Sequence, residues 1–566
     1  MNSSQVKRTW VIIIGLCFAT FVIVGRLFAF QVVQGKDWVT RGERNKLVRV
    51  VAEPARGVIY DRNGAVLAAN GADYQISVAP NLVTDAGEVA TSLAPILQER
   101  RQSILAVLES EEPYVLLSGR VSSEVAEAVR AFDYDGIQID PLPRRIYPQG
   151  NLLSHVLGYV DFEGSGGSGL EGYYQRELAG EAASATVNIS PLTYQPNVVA
   201  REGADLVLTI DRTVQFVVEK TLAEALIEHQ ARSGTIIVMD PRTGAILAMA
   251  SKPDFTPYSF YDADEGLLLN PAISQQYEPG SVMKLITMAA ALDSGTVTPQ
   301  STYYDSGTIE LGGSLMHNWD RSAPGLTDMT TLLSRSLNVG AATLASWMGP
   351  DVFYHYLEKF NFGRRTGIDL MAEAIGIMPL PGDANWTEAS LGTNAFGQGL
   401  AVTPLQMIVA ASALANEGRL MEPYIVQEIH REGQVLRHEP TVLSQAVSKE
   451  TAQQLTAMAV TAVNFEVYEA QVPGYTIAGK TGTAQIAEGG VYLPYDVIGS
   501  FIGWLPADAP EIIVLVKLDR PQINPWGSQT AAPTFAKLAQ ELVVLLDIPP
   551  DQVRLQSEIM TAREGN

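Results

Sequence analysis

Three short motifs, far apart in the chain, most constrain what it can fold into: Ser281-Val282-Met283-Lys284, Ser336-Leu337-Asn338 and Lys480-Thr481-Gly482-Thr483. The second begins 336 − 281 = 55 residues after the first, and the third 480 − 281 = 199 residues after it. A hydroxyl beside an amine, a second hydroxyl beside an amide, and a lysine beside threonines make a working site only when the fold brings them into one cleft. Their order predicts a large domain closed by contacts between distant segments.

Each motif has a chemical reading. Pro279-Gly280 stops the preceding segment, and Ser281 opens an apolar helix whose N-terminal N–H groups face a developing oxyanion. Lys284, three residues on, shares the face of Ser281 and can take the serine proton once burial or another cation keeps it neutral. The pattern is permissive, recurring at Ser4-Gln5-Val6-Lys7, so it carries weight only in company. Ser336 supplies a hydroxyl for proton relay and Asn338 an amide for a carbonyl or the lysine, while Leu337 between them is expected to point away. In a strand, alternation sends Lys480 and Gly482 to one face and Thr481 and Thr483 to the other. Gly482 is expected to admit a substrate backbone, with the lysine and threonines binding a carboxylate.

Composition excludes several function classes. The 566 residues carry a formal charge of −23 with a sequence pI near 4.7, which disfavours a nucleic-acid partner. Cys17 is the single cysteine, and the six histidines form no HExxH-type pair, so neither a disulfide nor a metal or other cofactor is expected. Hydrophobic content of 46% with 18% charged residues describes globular domains, more than one at this length.

Near the N-terminus, Trp10 to Gly25 is uncharged and apolar, and beyond Arg26 the apolar character resumes to Val33. With Arg26 snorkelling, residues 9–33 are long enough to cross a bilayer core. Lys7 and Arg8 before the span favour a cytoplasmic N-terminus and an external remainder. Phe28-Ala29-Phe30 is a poor signal-peptide cleavage site, and bulky Leu16 before Cys17 disfavours lipoprotein processing, so the expectation is an uncleaved anchor.

Beyond the anchor, Asp61-Arg62-Asn63-Gly64 reads as a turn between strands, residues 84–132 as partly helical, and Gly164-Ser165-Gly166-Gly167-Ser168 as a flexible stretch. Asp240-Pro241-Arg242-Thr243-Gly244 predicts a hairpin. Helical patterns dominate 281–465, strands return at 475–486, 497–504 and 511–517, and 534–546 reads as a closing helix before a frayed polar tail. The fold class is α/β (α+β), with a central, mostly antiparallel sheet assembled from both ends of one large domain and flanked by helices.

Together these motifs resemble the class B penicillin-binding proteins, the membrane-anchored D,D-transpeptidases of bacterial wall synthesis. The run Arg56-Gly57-Val58-Ile59-Tyr60-Asp61-Arg62-Asn63-Gly64-Ala65-Val66-Leu67-Ala68 is similar to the family's first pedestal motif. Arg145-Ile146-Tyr147-Pro148, His155-Val156-Leu157-Gly158-Tyr159-Val160 and Gly169-Leu170-Glu171 resemble later ones, and Gly397-Gln398-Gly399-Leu400 with Val402-Thr403-Pro404-Leu405-Gln406 resembles a stretch behind the active site. Arg56, Asp61 and Arg62 are expected to fix a domain junction rather than do chemistry. The resemblance implies a tail over 1–8, an anchor over 9–33, a pedestal (dimerisation-type) domain over 34–210, a transpeptidase domain over 211–548 and a polar tail over 549–566.

It also implies Ser281 as nucleophile toward peptidoglycan stem peptides and β-lactams, Lys284 as general base, and Ser336 and Lys480 as proton shuttles. Asn338, Thr481, Gly482 and Thr483 would bind substrate, and the N–H groups of Ser281 and Thr483 would form the oxyanion hole. A polytopic SEDS-type glycosyltransferase and other wall-synthesis membrane proteins are the implied partners, in cell division or cell-shape maintenance. A D,D-carboxypeptidase and a non-catalytic β-lactam sensor or scaffold are the alternatives.

Overall fold

The computed structural model describes residues 3–38, 47–52, 54–188, 199–489 and 491–564. The remaining positions of the expected tails and pedestal (1–2, 39–46, 53, 189–198 and 565–566) lie outside the described residues. The chain forms two compact units: residues 1–55 with 179–203, and residues 56–178 with 204–566.

In the first unit, helix Ser3–Phe28 continues into a π-helical turn, Ala29–Val33. Residues 6–33 form one helix long and apolar enough to cross a membrane, with large apolar side chains such as Phe18, Phe21 and Ile23 exposed along it. Strand Leu47–Ala52 pairs antiparallel with Ala183–Asn188.

The second unit is built on a five-stranded antiparallel sheet in the order Ala478–Glu488, Val491–Leu505, Ile512–Asp519, Ser233–Met239, Ile246–Lys252. Both faces are covered, which explains why the strands Ile512–Asp519, Ser233–Met239 and Ile246–Lys252 read as apolar runs, while the edge strand Ala478–Glu488 carries the lysine and threonines. Ile513 and Leu515 face a core shared with helices Lys284–Asp293 and Pro404–Ser412. Val514, Val516 and Leu518 face a second core with helices Arg212–Glu228 and Ala531–Leu545. The outer strands come from the two ends of the domain, as the strand–helix–strand order of the sequence predicts.

A second sheet of seven strands includes the expected strand–turn–strand: Ile59–Tyr60 pairs antiparallel with Val66–Val78. Asp61 organises the turn, its Oδ1 accepting the N–H groups of Asn63 and Ala65 and its Oδ2 that of Arg212 at the start of helix Arg212–Glu228. Helices Ala86–Leu97, Arg101–Leu108 and Ser123–Arg130 pack over this sheet around a third core. Three of the sequence motifs meet in one buried ion triad. Glu171, fully buried, accepts Arg56 Nε and Arg145 Nε at 2.6 Å each.

Two sequence expectations need correction. Residues 164–168 are bonded and close-packed rather than flexible. Asp161 Oδ1 accepts the N–H of Ser165, Gln175 Oε1 accepts that of Gly166, and the Tyr159 ring lies against Gly167 where a Cβ would stand. Beyond Pro550 the tail is not frayed but helical over Asp551–Glu564. Its first turn is tied down by Asp551 accepting Thr476 N–H at 2.7 Å and by Arg554 reaching Asp508 at 2.6 Å, contacts that its polar sequence does not announce.

Candidate active site

The Ser281 motif enters through a tight turn. Gly280 has φ +56°, donates its N–H to Gly397 O at 2.9 Å, and lies so close to Gly397 that a Cβ there would fall 2.1 Å from Gly280 O. The glycine-rich stretch 397–400 thus backs the serine directly. Ser281 sits in a 3-10 turn, Gly280–Met283, and the α-helix begins one turn later than the sequence suggests, at Lys284–Asp293.

Lys284 is wholly buried and gathers the first two motifs around its amine. Nζ lies 3.0 Å from Ser281 Oγ, 2.6 Å from Ser336 O, 3.2 Å from Ser336 Oγ and 2.7 Å from Asn338 Oδ1. Burial, reinforced by the nearby Lys480 charge, holds this amine well below the usual lysine range.

Ser336 adopts the left-handed region at φ +58°, which is costly for a residue with a Cβ and turns its carbonyl onto Lys284. Leu337 is fully buried, as expected of a residue pointing away from the cleft. Asn338 is the first residue of helix Asn338–Lys359, and its Nδ2 donates to His317 O at 3.1 Å.

Lys480 and Gly482 share the sheet face that meets the nucleophile helix, while Thr481 and Thr483 are half-buried on the other. Lys480 Nζ lies 3.3 Å from Thr481 O, and burial pulls its ammonium down to about 7, only partly countered by Glu466. Thr483 Oγ1 accepts the N–H of Gly527 at 3.1 Å. Gly482 also has a packing reason, beside the substrate approach read in the sequence. A Cβ there would meet Ser500 Oγ at 2.4 Å, Val282 Cγ2 at 2.9 Å and Pro279 O at 3.0 Å. Its smallness seats the nucleophile turn against the strand.

Sequence reasoning missed the scaffold behind these groups. Buried Asn318 accepts Val339 N–H at the start of the Asn338 helix and donates to Asp305 Oδ1 at 3.0 Å, and Asp305 Oδ2 accepts the Tyr303 hydroxyl at 2.7 Å. On the opposite flank, Glu278 accepts Gly399 N–H at 2.9 Å and the Tyr492 hydroxyl at 3.1 Å. Single polar residues at strand ends and in loops offer no periodic signal, so nothing in the sequence marks these partners.

Comparison with known proteins identifies both domains. Residues 234–540 match the penicillin binding protein transpeptidase domain, and residues 51–205 match the penicillin-binding protein dimerisation domain. The chain is similar to stage V sporulation protein D of Bacillus subtilis, 32% identical with 98% of this chain and 88% of the relative covered. It is 28% identical to a probable peptidoglycan D,D-transpeptidase PbpC of Pseudomonas aeruginosa, with 98% of each covered. A solved structure of penicillin binding protein 3 from Mycobacterium tuberculosis, complexed with aztreonam, superimposes with a TM-score of 0.69 at 28% identity, covering 88% of this chain and 98% of that one. With both domains matched in order behind an apolar N-terminal helix, the chain belongs to the class B penicillin-binding proteins.

Proposed function

We propose that Ser281 is the acyl-accepting nucleophile of this peptidoglycan D,D-transpeptidase and that Lys284 is its general base. One observation carries the assignment. A neutral amine has two hydrogens and one lone pair, and two of the Lys284 partners, Ser336 O and Asn338 Oδ1, can only accept. They take the two hydrogens, leaving the lone pair for the Ser281 hydroxyl at 3.0 Å.

The cycle then balances. The Ser281 proton passes to Lys284 as Oγ bonds the carbonyl carbon between two D-alanines. The C–N bond breaks, and the departing D-alanine amine takes a proton through the Ser336 hydroxyl. An acceptor amine from a neighbouring stem peptide attacks the ester and gives its proton to the Lys284–Ser336 pair. The C–O bond breaks and Ser281 recovers its hydrogen. Lys480 shuttles protons, Asn338 orients the substrate carbonyl, and Thr481 and Thr483 hold its carboxylate beside Gly482. The N–H groups of Ser281 and Thr483 face the oxyanion, where one such donor is worth ~3–4 kcal/mol. β-Lactams acylate Ser281 as mimics, in keeping with the aztreonam complex of the mycobacterial relative.

Lys7 and Arg8 before the apolar helix support a cytoplasmic N-terminus and an external catalytic domain at the bacterial cell membrane. A SEDS-type glycosyltransferase making the glycan strands is the fitting membrane partner. The test is labelling of the full-length protein with a fluorescent penicillin. Labelling at one site that vanishes in Ser281→Ala is expected, and labelling that persists overturns the assignment. Stem peptide supplied with an acceptor amine should give cross-linked product; release of D-alanine alone would mean a carboxypeptidase.

A further inference from the structure

We propose that Trp319 and Trp526 close the leaving-group end of the cleft and restrict the expelled residue to one with a small side chain. The inference rests on the roles given above to Ser281, Ser336 and the threonines. The two indoles come from opposite walls. Trp319 follows strand Ser314–His317, and its Nε1–H donates to Arg335 O at 3.2 Å, one residue before Ser336. Trp526 follows strand Ile512–Asp519 and immediately precedes Gly527, whose N–H is bonded to Thr483 Oγ1 at 3.1 Å. The rings meet edge to face, with centroids 5.3 Å apart and planes at 62°.

Neither ring belongs to a core: Trp319 is 55% exposed and Trp526 41%. Their loops are nevertheless held. Asn318, next to Trp319, is buried in the Asp305–Val339 network, and Gly527 is packed so tightly that a Cβ would fall 2.3 Å from Gly482 O. Two large aromatic surfaces kept together half in solvent bury little apolar area, but their edge-to-face contact spans a gap. The expelled residue lies between the Ser336 hydroxyl, which protonates its amine, and Thr481 and Thr483, which hold its carboxylate. The indole pair is tied to the immediate neighbours of Ser336 and Thr483 and bridges that same interval. On this placement the pair admits a methyl group and opposes a longer side chain.

The experiment compares the full-length protein in detergent micelles on two soluble stem peptides, one ending in D-Ala-D-Ala and one in D-Ala-D-Leu, with the same acceptor amine. Wild type should strongly favour the first. Trp319→Ala and Trp526→Ala should each shift the kcat/KM ratio toward the leucine peptide by about tenfold or more. The double variant should go no further than the larger single, because removing either indole opens the gap. An unchanged ratio in variants that still label with fluorescent penicillin overturns the proposal, as does a wild type indifferent to the two peptides. Should the alanine variants not label, Trp319→Phe and Trp526→Phe, which keep a smaller ring, must shift the ratio the same way or the proposal falls. A wild type that turns over neither peptide sinks the assigned reaction itself, and the selectivity with it.

Discussion

The main-chain carbonyl of Ser336 lies 2.6 Å from Lys284 Nζ, closer than the Ser281 hydroxyl at 3.0 Å. The base is thus oriented by backbone as much as by side chain. Ser336→Ala keeps this carbonyl and loses only the relay hydroxyl, so acylation by penicillin should slow by about 10²-fold without vanishing. Ser336→Val puts a β-branched residue at φ +58°, where it is strongly disfavoured, and should displace the carbonyl and cost more. Stopped-flow acylation of the two variants checks the order, and a valine variant no slower than the alanine variant would contradict it.

The proposed cycle sets opposite demands on two lysines that burial pulls the same way. In that cycle Lys284 must be neutral to act, and burial together with the Lys480 charge pulls it well below the usual lysine range; burial pulls Lys480 down to about 7. The acylation rate should rise with pH as Lys284 deprotonates and fall as the Lys480 proton is lost, giving a bell whose two limbs belong to the coupled pair. Lys480→Arg keeps a permanent positive charge. In that variant the alkaline limb should disappear, with the rate rising monotonically to pH 9, while the acid limb remains. A bell unchanged by the substitution would show that the alkaline limb does not report Lys480.

Gly482 tests whether packing or substrate access governs the strand. An alanine Cβ meets Ser500 Oγ at 2.4 Å, Val282 Cγ2 at 2.9 Å and Pro279 O at 3.0 Å, so the strand must retreat from the nucleophile turn. Displacement on the scale of 1 Å costs about 10²-fold in rate. Gly482→Ala should therefore lose about that much in penicillin acylation. Adding Ser500→Ala, which removes the closest contact and leaves the other two, should restore part of it. Normal acylation in the single variant would mean that the strand and the turn can separate freely.

The sequence was legible where chemistry dictates residue type. Ser281, Lys284, Ser336 and Asn338 stand out by residue type and spacing, and they converge on one amine. The sheet was legible because its inner strands are dense apolar runs, such as Ile512–Asp519 with every residue buried. Reasons that lie in distant partners were not legible. Gly482 packs against Val282, 200 residues away in sequence (482 − 282), and nothing local signals it. Trp319 and Trp526 are 207 residues apart (526 − 319) and meet only in the fold. The polar helix Asp551–Glu564 lacks an apolar stripe, and its first turn owes its order to Thr476 and Asp508.

The Arg56–Glu171–Arg145 triad separates a structural role from a catalytic one. Both guanidiniums spend their Nε–H on the same carboxylate, with side chains only 9% and 3% exposed, and Glu171 is their common counter-charge. Glu171→Gln removes that charge while keeping the shape, leaving two cations in low dielectric. Breaking a buried pair in this way costs about 3–5 kcal/mol, because the uncompensated partner stays buried. Denaturant unfolding should show a loss of that order, with the penicillin acylation rate of the folded fraction unchanged. Adding Arg145→Met removes one of the stranded charges and should recover part of the stability. An acylation rate that falls with Glu171→Gln in fully folded protein would instead place the triad in the catalytic machinery.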